Sequence, residues 1–175
     1  MIALVTGGAA SGKSEYAESL ACRWGDGPRI YLATMEARDG ESLSRVDRHR
    51  RARAGKGFCT VECPRDLERL SIPSGSTVLL ECLTNLLANE MYPQGDFIPD
   101  PTGKILAELE HLLERAAHLV VVSGEVFSQP APEGMEAYLF ALGTLHRELA
   151  RRADLVVESV YGIPVYGKCP KGWVE

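Results

Sequence analysis

Near its start the chain reads Gly7-Gly8-Ala9-Ala10-Ser11-Gly12-Lys13-Ser14, a complete G-x-x-x-x-G-K-S. An apolar run at 2–5 precedes it, and a helix-like stretch at 15–23 follows. Strand, glycine loop and helix in that order make a phosphate-binding turn. The glycines let the backbone curl until its N–H groups converge on phosphate oxygens. Lys13 brings a mobile positive charge to the outer phosphates, and the Ser14 hydroxyl is a ligand for Mg²⁺. The helix N-terminus adds partial positive charge where the anion sits.

A turn of this kind needs a sheet behind it, and 175 residues suffice for one domain, 1–175, with a substantial core. The 45% hydrophobic and 25% charged content are globular values. The net charge of −5 gives no overall attraction to nucleic acid. The one basic cluster is short, with no aromatic residues interleaved. The five cysteines are odd in number and widely spaced, and read as reduced thiols. Cys59 and Cys63 lack a matching His/Cys pair at zinc spacing. The chain enters its first strand at once, so no signal peptide and a cytoplasmic location are expected. No apolar run reaches the ~18 residues of a membrane span.

Apolar runs alternate with helical stretches. Strands are predicted at 2–6, 29–34, 58–62, 77–81 and 118–123. Two more, 155–160 and 164–168, pair around Tyr161-Gly162 as a C-terminal β-hairpin. Helices are predicted at 40–53, 83–91, 102–117 and 135–152, and the tail 168–175 is expected to be loosely ordered. Continuous apolar strands suit a mainly parallel sheet flanked by helices, an α/β fold.

Chemistry in such folds gathers at the carboxyl ends of the strands. Glu81 closes the fourth strand, where a carboxylate holds Mg²⁺ or accepts from a nucleotide; capping the next helix is the plainer role. Ala33, Thr34 and Met35 follow the second strand and face a nucleotide or a second ligand. Glu62 ends the third strand and suits guanine N1–H and its exocyclic amine, or is a surface carboxylate. The 123–126 segment follows the fifth strand toward the same crevice. His49 sits among Arg45, Arg48, Arg50, Arg51 and Arg53. That segment is either a solvated basic face or a site where guanidiniums gather a triphosphate. In the second case neutral imidazole attacks phosphorus, and nearby cations favour the neutral form. His111, His118 and His146 read as structural or surface residues. Trp24 and Trp173 read as isolated.

These segments together resemble one family, the bifunctional adenosylcobinamide kinase / adenosylcobinamide-phosphate guanylyltransferases of cobalamin biosynthesis. The likeness begins at Val5-Thr6-Gly7-Gly8 and runs through the loop to Glu18. It continues through Tyr31-Leu32-Ala33-Thr34, Arg45-Val46 with His49-Arg50, Thr60-Val61-Glu62 with Pro64, and Leu80-Glu81-Cys82-Leu83-Thr84. It closes with Glu125-Val126, Leu149-Ala150, Ala153-Asp154 and Gly162-Ile163-Pro164. The resemblance implies a P-loop NTPase-like, RecA-like fold and a cytosolic homotrimer. It implies phosphorylation of the aminopropanol hydroxyl of adenosylcobinamide by GTP or ATP, then transfer of GMP from GTP to that phosphate. By motif position His49 carries the GMP. Gly7 to Ser14 hold phosphates, Lys13 serves the kinase step, and Ser14 and Glu81 hold Mg²⁺. Glu62 and Glu81 match nucleotide-site positions, and Arg50, Arg51 and Arg53 are the nearest charge-stabilising arginines.

The departures fall mainly in the second half. The family reads S-N-E-V-G where this chain has Ser123-Gly124-Glu125-Val126-Phe127, and a Leu-Asn-Gln run where it has Leu145-His146-Arg147. The nucleotide half is therefore better matched than the acceptor half. The alternatives are a P-loop kinase or nucleotidyltransferase for another small molecule, or a nucleotide-binding regulatory subunit with degenerate catalysis.

Overall fold

A computed structural model describes residues 1–36, 54–128 and 133–173. Five strands lie along the first two-thirds of the chain. They are β1 (Ile2–Thr6), β2 (Arg29–Ala33), β3 (Phe58–Glu62), β4 (Ser76–Glu81) and β5 (Ala116–Val122). The helices are α1 (Lys13–Arg23), α2 (Leu83–Met91), α3 (Thr102–Leu113) and α4 (Glu136–Arg152). The strands β6 (Leu155–Val160) and β7 (Ile163–Lys168) end the fold. The sheet order is β3-β2-β4-β5-β1-β6-β7. All pairings are parallel except β6 with β7.

Burial explains the apolar runs. Leu79 and Val120 face one side of the sheet with Leu20 of α1, whereas Leu80 and Val121 face the other with Leu86, Leu109 and Leu145 of α2, α3 and α4. Strands covered on both faces need apolar residues at every position, so no alternation survives. The hairpin forms where expected, because Tyr161 and Gly162 both take the positive φ (52° and 81°) that a two-residue turn requires.

Two helix ends differ from the sequence reading by two residues or more. α1 begins at Lys13 rather than at residue 15, because Gly12 supplies the left-handed residue (φ 87°) that starts the helix. α3 ends at Leu113, tightened by bonds from Glu114 N–H and Arg115 N–H to the last turn, and Ala116 opens β5. Ala116 is buried in the strand, and an apolar residue at 116 also fits the helical period, so periodicity could not distinguish the two. The tail as far as Trp173 is also better held than expected. Trp173 meets Trp24 edge-on with ring centroids 6.5 Å apart, and Trp24 lies 5.6 Å from the His118 ring, so the two tryptophans are not isolated. The helix expected at 40–53 lies outside the described residues.

Candidate nucleotide site

The register of the sheet brings the predicted strand-end residues into one row. Ala33 pairs with Glu62 on one side and with Glu81 on the other, and Glu81 pairs with Val122. Val122 in turn pairs with Val5, two residues before the glycine loop. Parallel strands in register therefore set Glu62, Ala33, Glu81 and the loop along one edge.

The loop itself is a backbone device. Gly7 (φ 152°), Ala10 (φ 56°) and Gly12 (φ 87°) reverse the chain before α1. An ideal Cβ on Gly7 would lie 2.5 Å from Ser11 Oγ and 2.7 Å from the Ser159 carbonyl oxygen, so only glycine fits there. The far side of the loop is held by the C-terminal hairpin. Ser159 Oγ donates to the Ser11 carbonyl at 2.6 Å, and the Gly162 N–H donates to the same oxygen at 2.8 Å. Glu125 N–H donates to the Gly7 carbonyl at 2.9 Å. These props were not legible in the sequence, because nothing there shows that β6 lies beside β1.

Lys13 Nζ reaches back to the Gly8 carbonyl at 3.0 Å, so its ammonium sits over the loop. The Ser14 hydroxyl donates to Glu81 Oε1 at 2.5 Å. A hydroxyl and a carboxylate meeting at the mouth of the loop are hard oxygen donors, the set that Mg²⁺ takes together with phosphate oxygens. The residues present thus fit that ion.

Thr34 has a different local task. It is fully buried, its Oγ1 accepts from Cys82 N–H at 2.7 Å, and its O–H donates to the Cys82 carbonyl at 2.8 Å. Its own N–H donates to the Glu81 carbonyl at 3.0 Å, and its carbonyl accepts from Asn89 Nδ2 at 2.8 Å. The N–H and hydroxyl of Thr34 therefore fix the turn that carries Glu81, whose peptide bond to Cys82 is cis, and its carbonyl ties that turn to α2. Met35 is half-buried beside it, and Glu62 is exposed. Burial pushes the Cys82 thiol up, which makes it a poor nucleophile.

Of the described histidines, His111 pairs with Glu114 at 3.2 Å on α3. His118 lies at the opposite end of the sheet, 3.3 Å from the N-terminal amine. His146 is closer to the site than its sequence setting suggested. Its Nε2 is 2.7 Å from Ser123 Oγ, just beyond β5, and burial holds its pKa below the usual histidine value. His49, Arg50, Arg51 and Arg53 lie outside the described residues.

Two solved ATPases share the arrangement of strands and helices. The ATPase domain of G40P superposes with a TM-score of 0.53 at 12% identity, covering 95% of this chain and 78% of that one. A prototypical ATPase from the type III secretion system of pathogenic bacteria gives 0.51 at 11%, covering 94% and 56%. The fold is thus that of a P-loop nucleotide-binding α/β protein. Within that class the chain belongs to the CobU family, described as cobinamide kinase / cobinamide phosphate guanyltransferase, which it matches over residues 3–166. It is 33% identical to the bifunctional adenosylcobalamin biosynthesis protein CobU of Salmonella typhimurium, over 94% of this chain and 98% of that one. It is 35% identical to the protein of the same name from Escherichia coli, with the same coverage. The bifunctional adenosylcobalamin biosynthesis protein CobP of Pseudomonas aeruginosa is 35% identical, over 93% and 94%. Among the described residues no helix is long and apolar enough to cross a membrane.

Proposed function

We propose that this chain catalyses both reactions named for its family, with the glycine loop, Ser14 and Glu81 as the nucleotide centre. The observation that carries the reading is the Ser14–Glu81 contact at the mouth of the loop. In the kinase step the aminopropanol hydroxyl oxygen of adenosylcobinamide attacks the γ-phosphorus. The bond to the β–γ bridging oxygen breaks, the nucleoside diphosphate leaves, and the hydroxyl proton passes to solvent water. Loop N–H groups and Lys13 hold the phosphate oxygens as charge spreads over them. Ser14 and Glu81 would hold Mg²⁺, which when bound neutralises phosphate charge.

In the second reaction an imidazole nitrogen of His49 attacks the α-phosphorus of GTP, and pyrophosphate leaves. A phosphate oxygen of the acceptor then attacks the same phosphorus, the P–N bond breaks, and adenosyl-GDP-cobinamide forms. Splitting the transfer spares two polyanions a direct encounter. Arg50, Arg51 and Arg53 stabilise the departing pyrophosphate, and Glu62 accepts from guanine. The family resemblance further supports a cytoplasmic homotrimer.

The test is to incubate the purified chain with adenosylcobinamide, GTP and Mg²⁺ and resolve the corrinoids by mass spectrometry. The phosphate should appear first and the GDP derivative later, and neither should form with Lys13→Ala. Unchanged adenosylcobinamide alongside GTP hydrolysis would overturn the assignment.

A further inference from the structure

A second charged centre lies on the α2/α3 side of the sheet, away from the nucleotide loop. Asp66 follows β3, Glu90 sits on α2, and Lys104 and Glu108 sit on α3. One oxygen from each of the three carboxylates lies within 4.8 Å of the other two. Lys104 Nζ occupies the space among them, 2.6 Å from Asp66 Oδ1, 2.6 Å from Glu90 Oε2 and 3.7 Å from Glu108 Oε1. Arg69 reaches the other Asp66 oxygen at only 3.7 Å.

The arrangement is unbalanced in charge and in hydrogen bonds. Glu90 and Glu108 are each 2% exposed. Glu90 is satisfied, because it also accepts from the Asp66 N–H at 3.0 Å. Glu108 is not. Neither of its carboxylate oxygens takes a hydrogen bond from any described residue, although both are sealed from solvent and one points at the cluster. A buried carboxylate in that condition lacks the partners that normally offset its lost hydration. Lys104 is the flexible member, 39% exposed along its side chain.

We propose that Asp66, Glu90 and Glu108 form a binding site for a hard divalent cation of calcium size, for which the Lys104 ammonium is the resident substitute. Oxygens around an ion at about 2.4 Å lie up to about 4.8 Å apart, so the carboxylate spacing suits Ca²⁺ without rearrangement of the backbone. Lys104 swings into solvent as the ion enters, and Glu108 gains the cation contact it lacks. The bound ion ties the segment after β3 to both helices. Asn89, next to Glu90, donates to the Thr34 and Pro64 carbonyls, so the ion would brace the wall beside the nucleotide site.

Calorimetric titration of the full, nucleotide-free chain with Ca²⁺ tests this. One ion per chain should bind with a dissociation constant of roughly 10⁻⁵–10⁻³ M. The isosteric Glu108→Gln should abolish it, and Glu81→Gln should leave it in place. Lys104→Met should tighten it at least about tenfold, since removing the competitor raises the competent fraction. No heat up to millimolar Ca²⁺, or binding that survives Glu108→Gln or vanishes with Glu81→Gln, would overturn the proposal. The comparison of wild type with Glu108→Gln decides even if Lys104→Met fails to fold.

Discussion

Ser14 at the start of α1 and Glu81 at the end of β4 lie 67 residues apart in sequence and share a 2.5 Å hydrogen bond. The register that sets β4 one strand from β1 across β5 makes this contact. Glu81→Gln keeps the shape and can still accept from the Ser14 hydroxyl, but it loses the charge. Phosphoryl transfer should fall roughly 10²–10³-fold in kcat, while metal-free nucleotide binding changes less than about threefold. Steady-state kinetics paired with nucleotide titration in chelator separate the two quantities. An equal loss in both would argue for a merely structural carboxylate.

The hairpin should matter to the loop it props. Gly7→Ala forces a methyl to 2.7 Å from the Ser159 carbonyl, a backbone atom that has little room to retreat. It should weaken nucleotide binding by at least about tenfold. Ser159→Ala removes one of two bonds to the Ser11 carbonyl and leaves that from Gly162. Its expected cost is about 1 kcal/mol of stability, with only a few-fold change in affinity. Chemical denaturation and nucleotide titration measure both.

Thr34 was expected to face the ligand, yet its hydroxyl is consumed by the two Cys82 backbone groups. Thr34→Val preserves volume and strands a buried N–H and C=O. It should destabilise the protein by about 2 kcal/mol, seen as a lower urea midpoint at unchanged slope. A large loss of nucleotide affinity in the intact fold would instead return Thr34 to the ligand.

Glu108 gives a pH signature. Burial first, and then Glu90, Asp66 and Glu68, raise its pKa from 4.5 to about 7, against the opposing effect of Lys104. The folded chain therefore holds a proton that the unfolded chain has released between those values. That stability is present below pH 4.5 and lost as pH rises to about 7. Glu108→Gln cannot lose it. In chelator, the variant should match wild type near pH 4.5 and exceed it by on the order of 1–2 kcal/mol near pH 8. Thermal melts across that range supply the comparison, and parallel curves would contradict the assignment.

Much of this fold can be read from the chain because its strands are buried on both faces. Ile2 to Val5, Leu79-Leu80 and Leu119 to Val122 are apolar at every position, a pattern only a covered parallel sheet makes ordinary. The loop was legible for a related reason, since its backbone shape demands glycine at fixed places. The supports were not. Ser159 and Asn89 act through neighbours that only the strand order creates, and no local pattern marks them. Leu67 illustrates the same gap. The segment after Pro64 is a single 3₁₀ turn with Leu67 fully buried and Asp66 in an ion cluster, and no local pattern in the sequence marks either.

The proposed route of GMP from GTP to the acceptor runs through His49. Mass spectrometry of the protein after mixing with GTP and Mg²⁺ tests it most directly. A mass increase of one GMP is expected, mapped to the peptide containing His49 and absent from His49→Ala. An adduct on His111, His118 or His146, or turnover to adenosyl-GDP-cobinamide by His49→Ala at the wild-type rate, would contradict it.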